Sequence, residues 1–238
     1  MSDVLRGRSE QLRTFVEEAP LERTSIVEFV AAQARALAPG ARVLDVGAGD
    51  APYRELFAAQ HYTTSDHAET LHSGRVDIVA SADAIPVESG SFDAVLCTQL
   101  LEHVPEPLEV IRELRRVLVD SGILIATVPF AWEEHELPDD YFRFTKQGME
   151  QLLSRGGFGE IDVRPRTDCF TTLAQLVRNA AWAMGSAPDG LDPLRLEARK
   201  ALVETANALA LLAPLDVSMI LPLGYTVSAK ASGRLGAS

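Results

Sequence analysis

Residues 43–57 read VLDVGAGDAPYRELF, three of the first four residues being apolar, followed by two glycines one residue apart and then a stretch that reads as a helix. A buried strand that runs directly into Gly47-Ala48-Gly49 has given up side chains where its backbone turns. Only glycine tolerates both positive φ and close approach of a ligand to the main chain. A helix starting at Pro52 suits that residue, whose fixed φ fits a first turn. Its free amides would then face an anion or a polar ligand. The spacing matches the first two positions of GxGxxG, but Pro52 stands at the third, so a pyrophosphate cradle is incomplete. Asp66 follows at the distance of a ribose-binding acid, since a carboxylate accepts two hydroxyl hydrogens. The stretch therefore points to an adenosyl ribose without a well-made pyrophosphate site.

Working outward, short β-rich runs alternate with helical ones. ARVLDV, HYTTSD, RVDIVASAD, AVLCTQ and GILIATVPF read as strands one to five. The apolar spacing predicts two helices from about residue 9 to 38, broken at Pro20, a helix over 52–57 and another over 107–119 ended by Asp120-Ser121-Gly122. Thr145 reads as the N-cap of KQGMEQLLSRGGF, and FGEIDVRP and LGYTVSAKA as two last strands. Such alternation predicts an α/β fold with a parallel, doubly wound sheet covered on both faces. Ligands on such sheets bind at the carboxyl ends of strands, where Asp45, Asp66, Asp83, Thr98 and Pro129 fall.

From Val43 to Phe158 the chain resembles the class I S-adenosylmethionine-dependent methyltransferases, in particular the broad group acting on small molecules. The resemblance rests on LDVGAGD, Asp66, SADAIPVESGSFDAV, LLEHVPEPLEVIRELRRVL and SGILIATVP, in that order. It implies a Rossmann-like, seven-stranded, mostly parallel sheet with helices on both faces, the last two strands forming an antiparallel hairpin. One domain is expected over 1–238, with N-terminal helices at 1–40, a cofactor-binding core at 41–165 and a helical insertion at 166–216 serving as a lid or dimer contact.

The resemblance also implies the site. Asp45, Gly47, Ala48 and Gly49 would wrap the methionine part of S-adenosylmethionine, and Asp66, with His67 beside it, the ribose. Asp83 and Ala84 would meet the adenine edge; Thr98, Gln99 and Leu100 would line the floor near the sulfonium. A cation beside several carboxylates also makes electrostatic sense. Ala51 departs from the third glycine of many members.

EEHELPDDYFRFT follows the fifth strand and should hang over the cofactor mouth. It offers His135, Tyr141 and Arg143, with Trp132 just before it, as acceptor-binding residues. A hydroxyl or carbon acceptor benefits from a general base. His135 is the first choice, His103 of LLEHVPEP the second, and Tyr141 a third catalytic group. The alternative for the loop is structural, Tyr141 and Phe144 packing beneath it and Arg143 pairing with Asp139 or Asp140. No metal is expected, because Asp139-Asp140 lacks the other acidic ligands of a divalent site.

Composition narrows partners. A formal net charge of -12 argues against a phosphate-backbone partner, and no Asn/Asp-Pro-Pro-aromatic stretch follows the fourth strand. Only Cys97 and Cys169 are present, without zinc spacing, so a reducing cytoplasm is the expected location. No apolar run reaches spanning length, so no stable membrane insertion is expected. A homodimer is a possible use of the insertion. The sequence thus points to methyl transfer from S-adenosylmethionine to an O, N or C nucleophile of a small molecule. Two alternatives stay open: a nicotinamide-dependent oxidoreductase, whose Tyr-xxx-Lys pair is not matched by Tyr141 and Lys146, and a methyltransferase-like binding module without catalysis.

Overall fold

Seven strands form one sheet in the order β3-β2-β1-β4-β5-β7-β6 in the computed structural model, which describes residues 5–67, 76–184 and 192–232. The strands are β1 (Arg42–Val46), β2 (His61–Asp66), β3 (Ile78–Val79), β4 (Phe92–Thr98), β5 (Leu118–Pro129), β6 (Phe158–Pro165) and β7 (Gly224–Ala231). The first five run parallel to one another, and β7 lies antiparallel between β5 and β6. This is the α/β, mostly parallel sheet expected from the alternation.

Central strands are apolar on both faces because helices cover both. Val43, Leu96 and Ile125 point to one side, where α1 (Glu10–Glu18) and α2 (Pro20–Ala36) bring Leu12, Ile26 and Val30. Leu44, Val95 and Leu124 point to the other, against Ile111 and Leu114 of α3 (Pro107–Val117) and Met149 of α4 (Lys146–Arg155). Successive residues of one strand thus feed opposite cores, as the two-residue period requires. Helix starts follow their caps: Ser9 Oγ accepts from the Leu12 amide at 3.3 Å and Thr145 Oγ1 from the Gly148 amide at 3.1 Å. Such caps contribute about 1 kcal/mol each.

Three local expectations are corrected. The helix expected over 52–57 is a single 3-10 turn, Arg54–Phe57. The link from Val46 to His61 must complete the glycine loop and still return to the sheet, and burial of Tyr53 and Phe57 fixes it early. Asp120-Ser121-Gly122 does not separate helix from strand but sits inside β5 as a bulge. Pairing there jumps from Phe92–Leu118 to Ala94–Ile123, with Ser121 at φ 65°. The third strand is only Ile78–Val79; its upstream neighbours at 68–75 lie outside the described residues.

Between β6 and β7 stand α5 (Cys169–Ala183) and α6 (Asp192–Ala210), so the last two strands pair antiparallel across a long helical insertion. Trp182, Leu211, Leu215, Val217 and Ile220 are exposed on and after these helices. No helix among the described residues is long and apolar enough to cross a membrane.

Candidate active site

The carboxyl ends of β1, β2, β3, β4 and β5 share one edge of the sheet, and the site is built there. Gly47 and Gly49 both take positive φ, 73° and 51°. A Cβ on Gly47 would stand 3.0 Å from Leu100 Cδ1, so the loop after β1 lies directly on the segment after β4. The loop is tied to β2: the Gly47 and Ala48 amides donate to the Ser65 carbonyl, and the Gly49 amide donates to Asp66 Oδ2 at 2.7 Å. The His67 amide donates to the other oxygen of Asp66 at 2.7 Å. Asp66 and Asp83 follow adjacent strands, with Asp66 in register with Val79. Asp83 is exposed and accepts from Ser81 Oγ.

Asp45, at the end of β1, is almost fully buried. Its Oδ2 accepts from the Tyr62 hydroxyl, and its Oδ1 has no partner in the protein. Burial pushes its pKa up to about 7, against the opposing pull of the Tyr62 hydrogen bond. Gln99 takes φ 48°, uncommon for a side-chain-bearing residue, and is held there by its amide donating to the Thr127 carbonyl at 3.0 Å. A second bond, Gln99 Nε2 to Thr127 Oγ1 at 3.0 Å, fixes the side chain. Strain of this kind gathers where a strand tip faces a ligand.

A cavity of about 960 Å³ opens over this edge. Its floor includes Gly47, Ala48, Gly49, Thr98 and Gln99. Its roof comes from the N-terminal helices, with Gln11, Phe15, Glu22 and Arg23 facing in. Gln11 Nε2 donates to the Asp50 carbonyl at 2.7 Å, closing α1 onto the glycine loop. Glu22 is paired with the buried Arg166 at 3.2 Å, which anchors α2 to the chain after β6. The volume suits a small ligand pocket of the usual size or slightly more.

His103, His135, Glu136 and Trp132 also line the cavity. His103 closes the 3-10 turn Leu101–His103 after β4, and its ring meets that of His135 edge-on with centroids 4.8 Å apart. His103 Nδ1 donates to the Asp139 carbonyl at 2.7 Å, since a carbonyl can only accept. The neutral ring therefore keeps its lone pair on Nε2. His135 Nδ1 is 3.2 Å from the Glu133 carbonyl and 3.4 Å from Asp140 Oδ2. Beneath them the Glu102 carboxyl is wholly buried, and burial pushes its pKa up to about 8. The loop itself is locked by Arg143, whose guanidinium bonds both oxygens of Asp140 at 2.7 Å and the carbonyls of Trp132, Glu133 and Phe142.

Residues 44–126 match the family model described as a methyltransferase domain. Over these residues the chain is a methyltransferase domain. Over 121 residues it is 38% identical to a ubiquinone biosynthesis O-methyltransferase of Xanthomonas campestris pv. campestris, covering 45% of this chain and 51% of that protein. The chain thus spans about half the length of the curated relatives it matches. Among solved structures, the [4+2]-cyclase SpnF superposes with a TM-score of 0.57 at 22% identity, covering 89% of this chain and 82% of that one. An N-methyltransferase from Haemonchus contortus, in complex with phosphomonomethylethanolamine and S-adenosylhomocysteine, gives 0.53 at 15% identity, covering 98% and 60%. These structural likenesses show the fold.

The expected residues fall into three sets. Gly47, Ala48, Gly49, Thr98, Gln99, Trp132, His103 and His135 all line the cavity. Asp45, Asp66 and Leu100 lie behind or beside the glycine loop and support it. His67, Asp83 and Ala84 are exposed beyond the ends of β2 and β3, and Tyr141 and Arg143 stand outside the cavity wall. Tyr141 is exposed, its hydroxyl donating to Asp139 at 2.9 Å, while Phe144 is buried. The unpartnered Asp45 Oδ1 and the side-chain-free loop above it fit a ligand carrying a cationic amino acid end, as S-adenosylmethionine does. The wall from α1 and α2 is what the sequence reading missed. Phe15 and Glu22 look like ordinary positions of an amphipathic helix, and nothing in their local pattern shows that the helices turn onto the strand tips.

Proposed function

We propose that this chain transfers the methyl group of S-adenosylmethionine to a hydroxyl oxygen of a small-molecule acceptor. The observation that carries the reading is the cavity, which is lined both by the glycine loop of β1 and by the paired imidazoles of His103 and His135. The likeness to relatives named as O-methyltransferases of ubiquinone biosynthesis favours oxygen, in a phenolic acceptor, over nitrogen or carbon.

When bound, the cofactor supplies an already activated methyl group. The protein's work is then alignment and exclusion of water. The glycine loop and Asp45 would hold the amino acid end, Asp66 the ribose, and Asp83 with Ala84 the adenine edge. Gln99, locked to Thr127, would set the height of the floor under the transfer. Phe15 and Trp132 supply apolar surface for a flat ring. His135, with His103 behind it, would take the hydroxyl proton as the oxygen becomes nucleophilic. The acidic rim of Glu10, Glu18 and Glu136 favours a cationic sulfonium over a free anion.

Calorimetry with S-adenosylhomocysteine and with NAD, followed by incubation with S-adenosylmethionine and a panel of phenols and catechols, tests this reading. Binding of the first ligand alone and formation of methylated phenol support it. NAD binding would instead favour an oxidoreductase, and cofactor binding with no transfer to any acceptor a binding module.

A further inference from the structure

Glu102 and His103, on the turn after β4, and His135, in the loop after β5, bring one carboxylate oxygen and two ring nitrogens within 4.8 Å of one another. We infer that these three side chains hold a divalent transition-metal ion, with zinc as its type, at the cavity wall.

Three independent observations carry this. The Glu102 side chain has no exposure, and neither of its oxygens has a hydrogen-bond partner in the protein. A buried carboxyl left this way lacks the hydrogen-bond partner that such groups normally find. Both imidazoles, next, are fixed from behind by backbone. His103 Nδ1 donates to the Asp139 carbonyl at 2.7 Å, and His135 Nδ1 stands 3.2 Å from the Glu133 carbonyl and 3.4 Å from the Arg143 guanidinium. A ring nitrogen bonded to a carbonyl leaves the opposite nitrogen as the donor to a metal, the usual arrangement of ligating histidines. Finally, His103 Nε2 looks at two carboxylates at once, Glu102 Oε1 at 4.0 Å and Glu136 Oε2 at 3.8 Å. Two acids converging on one lone pair make a point where a cation is favoured.

Two nitrogens and one carboxylate form the donor set of open zinc sites, whereas magnesium and calcium take oxygen. Bonds of about 2.0–2.2 Å in a tetrahedral site set ligand atoms about 3.4 Å apart, so the widest pair must close by up to about 1.4 Å. Glu136, exposed at the cavity wall, is placed to supply a fourth oxygen. Because His103 and His135 line the cavity, an ion between them is reached from it. These are different residues from Asp139-Asp140, the acidic pair on which the expectation of no metal rested. An ion held by both imidazoles takes the lone pairs that a general base would use, so in the metal-bound protein their part becomes the orienting of an acceptor hydroxyl, which rests on the reading above.

The test is calorimetric titration of chelator-treated protein with zinc chloride, with cobalt chloride followed by visible absorption. One ion per chain and an intense cobalt spectrum of low coordination number are expected. His103→Ala, His135→Ala and Glu102→Gln should each weaken zinc binding by at least about tenfold. His61→Ala, at an exposed position on the start of β2, should leave it unchanged. Circular dichroism of each variant keeps lost binding distinct from lost folding. Absence of a stoichiometric site, or equal affinity in the wild type and both histidine variants, would overturn the inference. S-adenosylhomocysteine titrated into the same preparations separates the two readings. Cofactor binding without zinc binding removes the metal alone, and zinc binding without cofactor binding removes the methyltransferase reading alone.

Discussion

Asp66 Oδ2 accepts a 2.7 Å hydrogen bond from the amide of Gly49, so the acid that ends β2 holds the loop that ends β1. The two strands are parallel neighbours, paired from Arg42–His61 to Val46–Ser65, and this bond continues the pairing one step past the sheet. Under the proposed function the same carboxylate would also meet the ribose. Its two duties make it the most informative single position of the cofactor half.

Asp66→Ala should therefore lower affinity for S-adenosylhomocysteine by well over tenfold, since a charged hydrogen-bond partner is worth about 1.5–3 kcal/mol and the loop loosens as well. Asp66→Asn, which can still accept from Gly49, should lose less. Calorimetry of the two variants beside the wild type checks the order; equal affinities in all three would remove Asp66 from the site.

His135→Ala should cut turnover by about 10²–10⁴-fold while leaving cofactor affinity within about twofold. Under the proposed function His135 acts on the acceptor and not on the cofactor, so binding and chemistry would separate at this residue. Steady-state rates with a phenolic acceptor, set beside calorimetry, make the comparison. Unchanged turnover would exclude it from the reaction.

Asp45 gives a pH signature. In the unfolded chain it titrates near 3.8 and in the fold near 7, because burial disfavours the charged form. Between those values the folded state keeps a proton that the unfolded chain has lost, so this residue makes stability fall as pH rises from about 4 to about 7 and then level off. Asp45→Asn should remove that slope. Urea unfolding of wild type and variant at several pH values between 4.5 and 8 reads the difference directly, and parallel curves would show that Asp45 titrates normally.

Gly224 begins β7, opposite Pro129 of β5. A Cβ there would lie 2.2 Å from the Val128 carbonyl oxygen and 2.7 Å from the buried Arg166 guanidinium. Backbone cannot move aside as a flexible side chain does. Gly224→Ala should destabilise by about 1–3 kcal/mol, which for a chain of this size lowers Tm by about 2–4 °C per kcal/mol. Gly40→Ala is a useful contrast: no atom lies within 4 Å of its Cβ position, and only its φ of 77° opposes the change.

The sequence by itself determined those features whose cause is local. Gly47 and Gly49 had to be glycine because a turn at positive φ admits little else, and Thr145 had to start a helix because its side chain caps the amide three residues on. The apolar runs of β1, β4 and β5 follow from burial on both faces, so the sheet could be read before its neighbours were known. Where length rather than pattern ruled, reading failed: 52–57 carries helix-forming residues but no room for a helix, and Ser121 turns within a strand that continues past it.

Tertiary structure alone decided what meets at the strand tips. The roof of Phe15 and Glu22 is far in sequence from the loop it covers, and only the packing of α1 and α2 against Tyr53 and Phe57 brings them there. Glu102 and His103 are adjacent in the chain yet opposite in fate, one sealed in the core and one facing the cavity, and His135 joins them from another loop. Such meetings depend on long-range contacts between elements, which leave no periodicity in either partner.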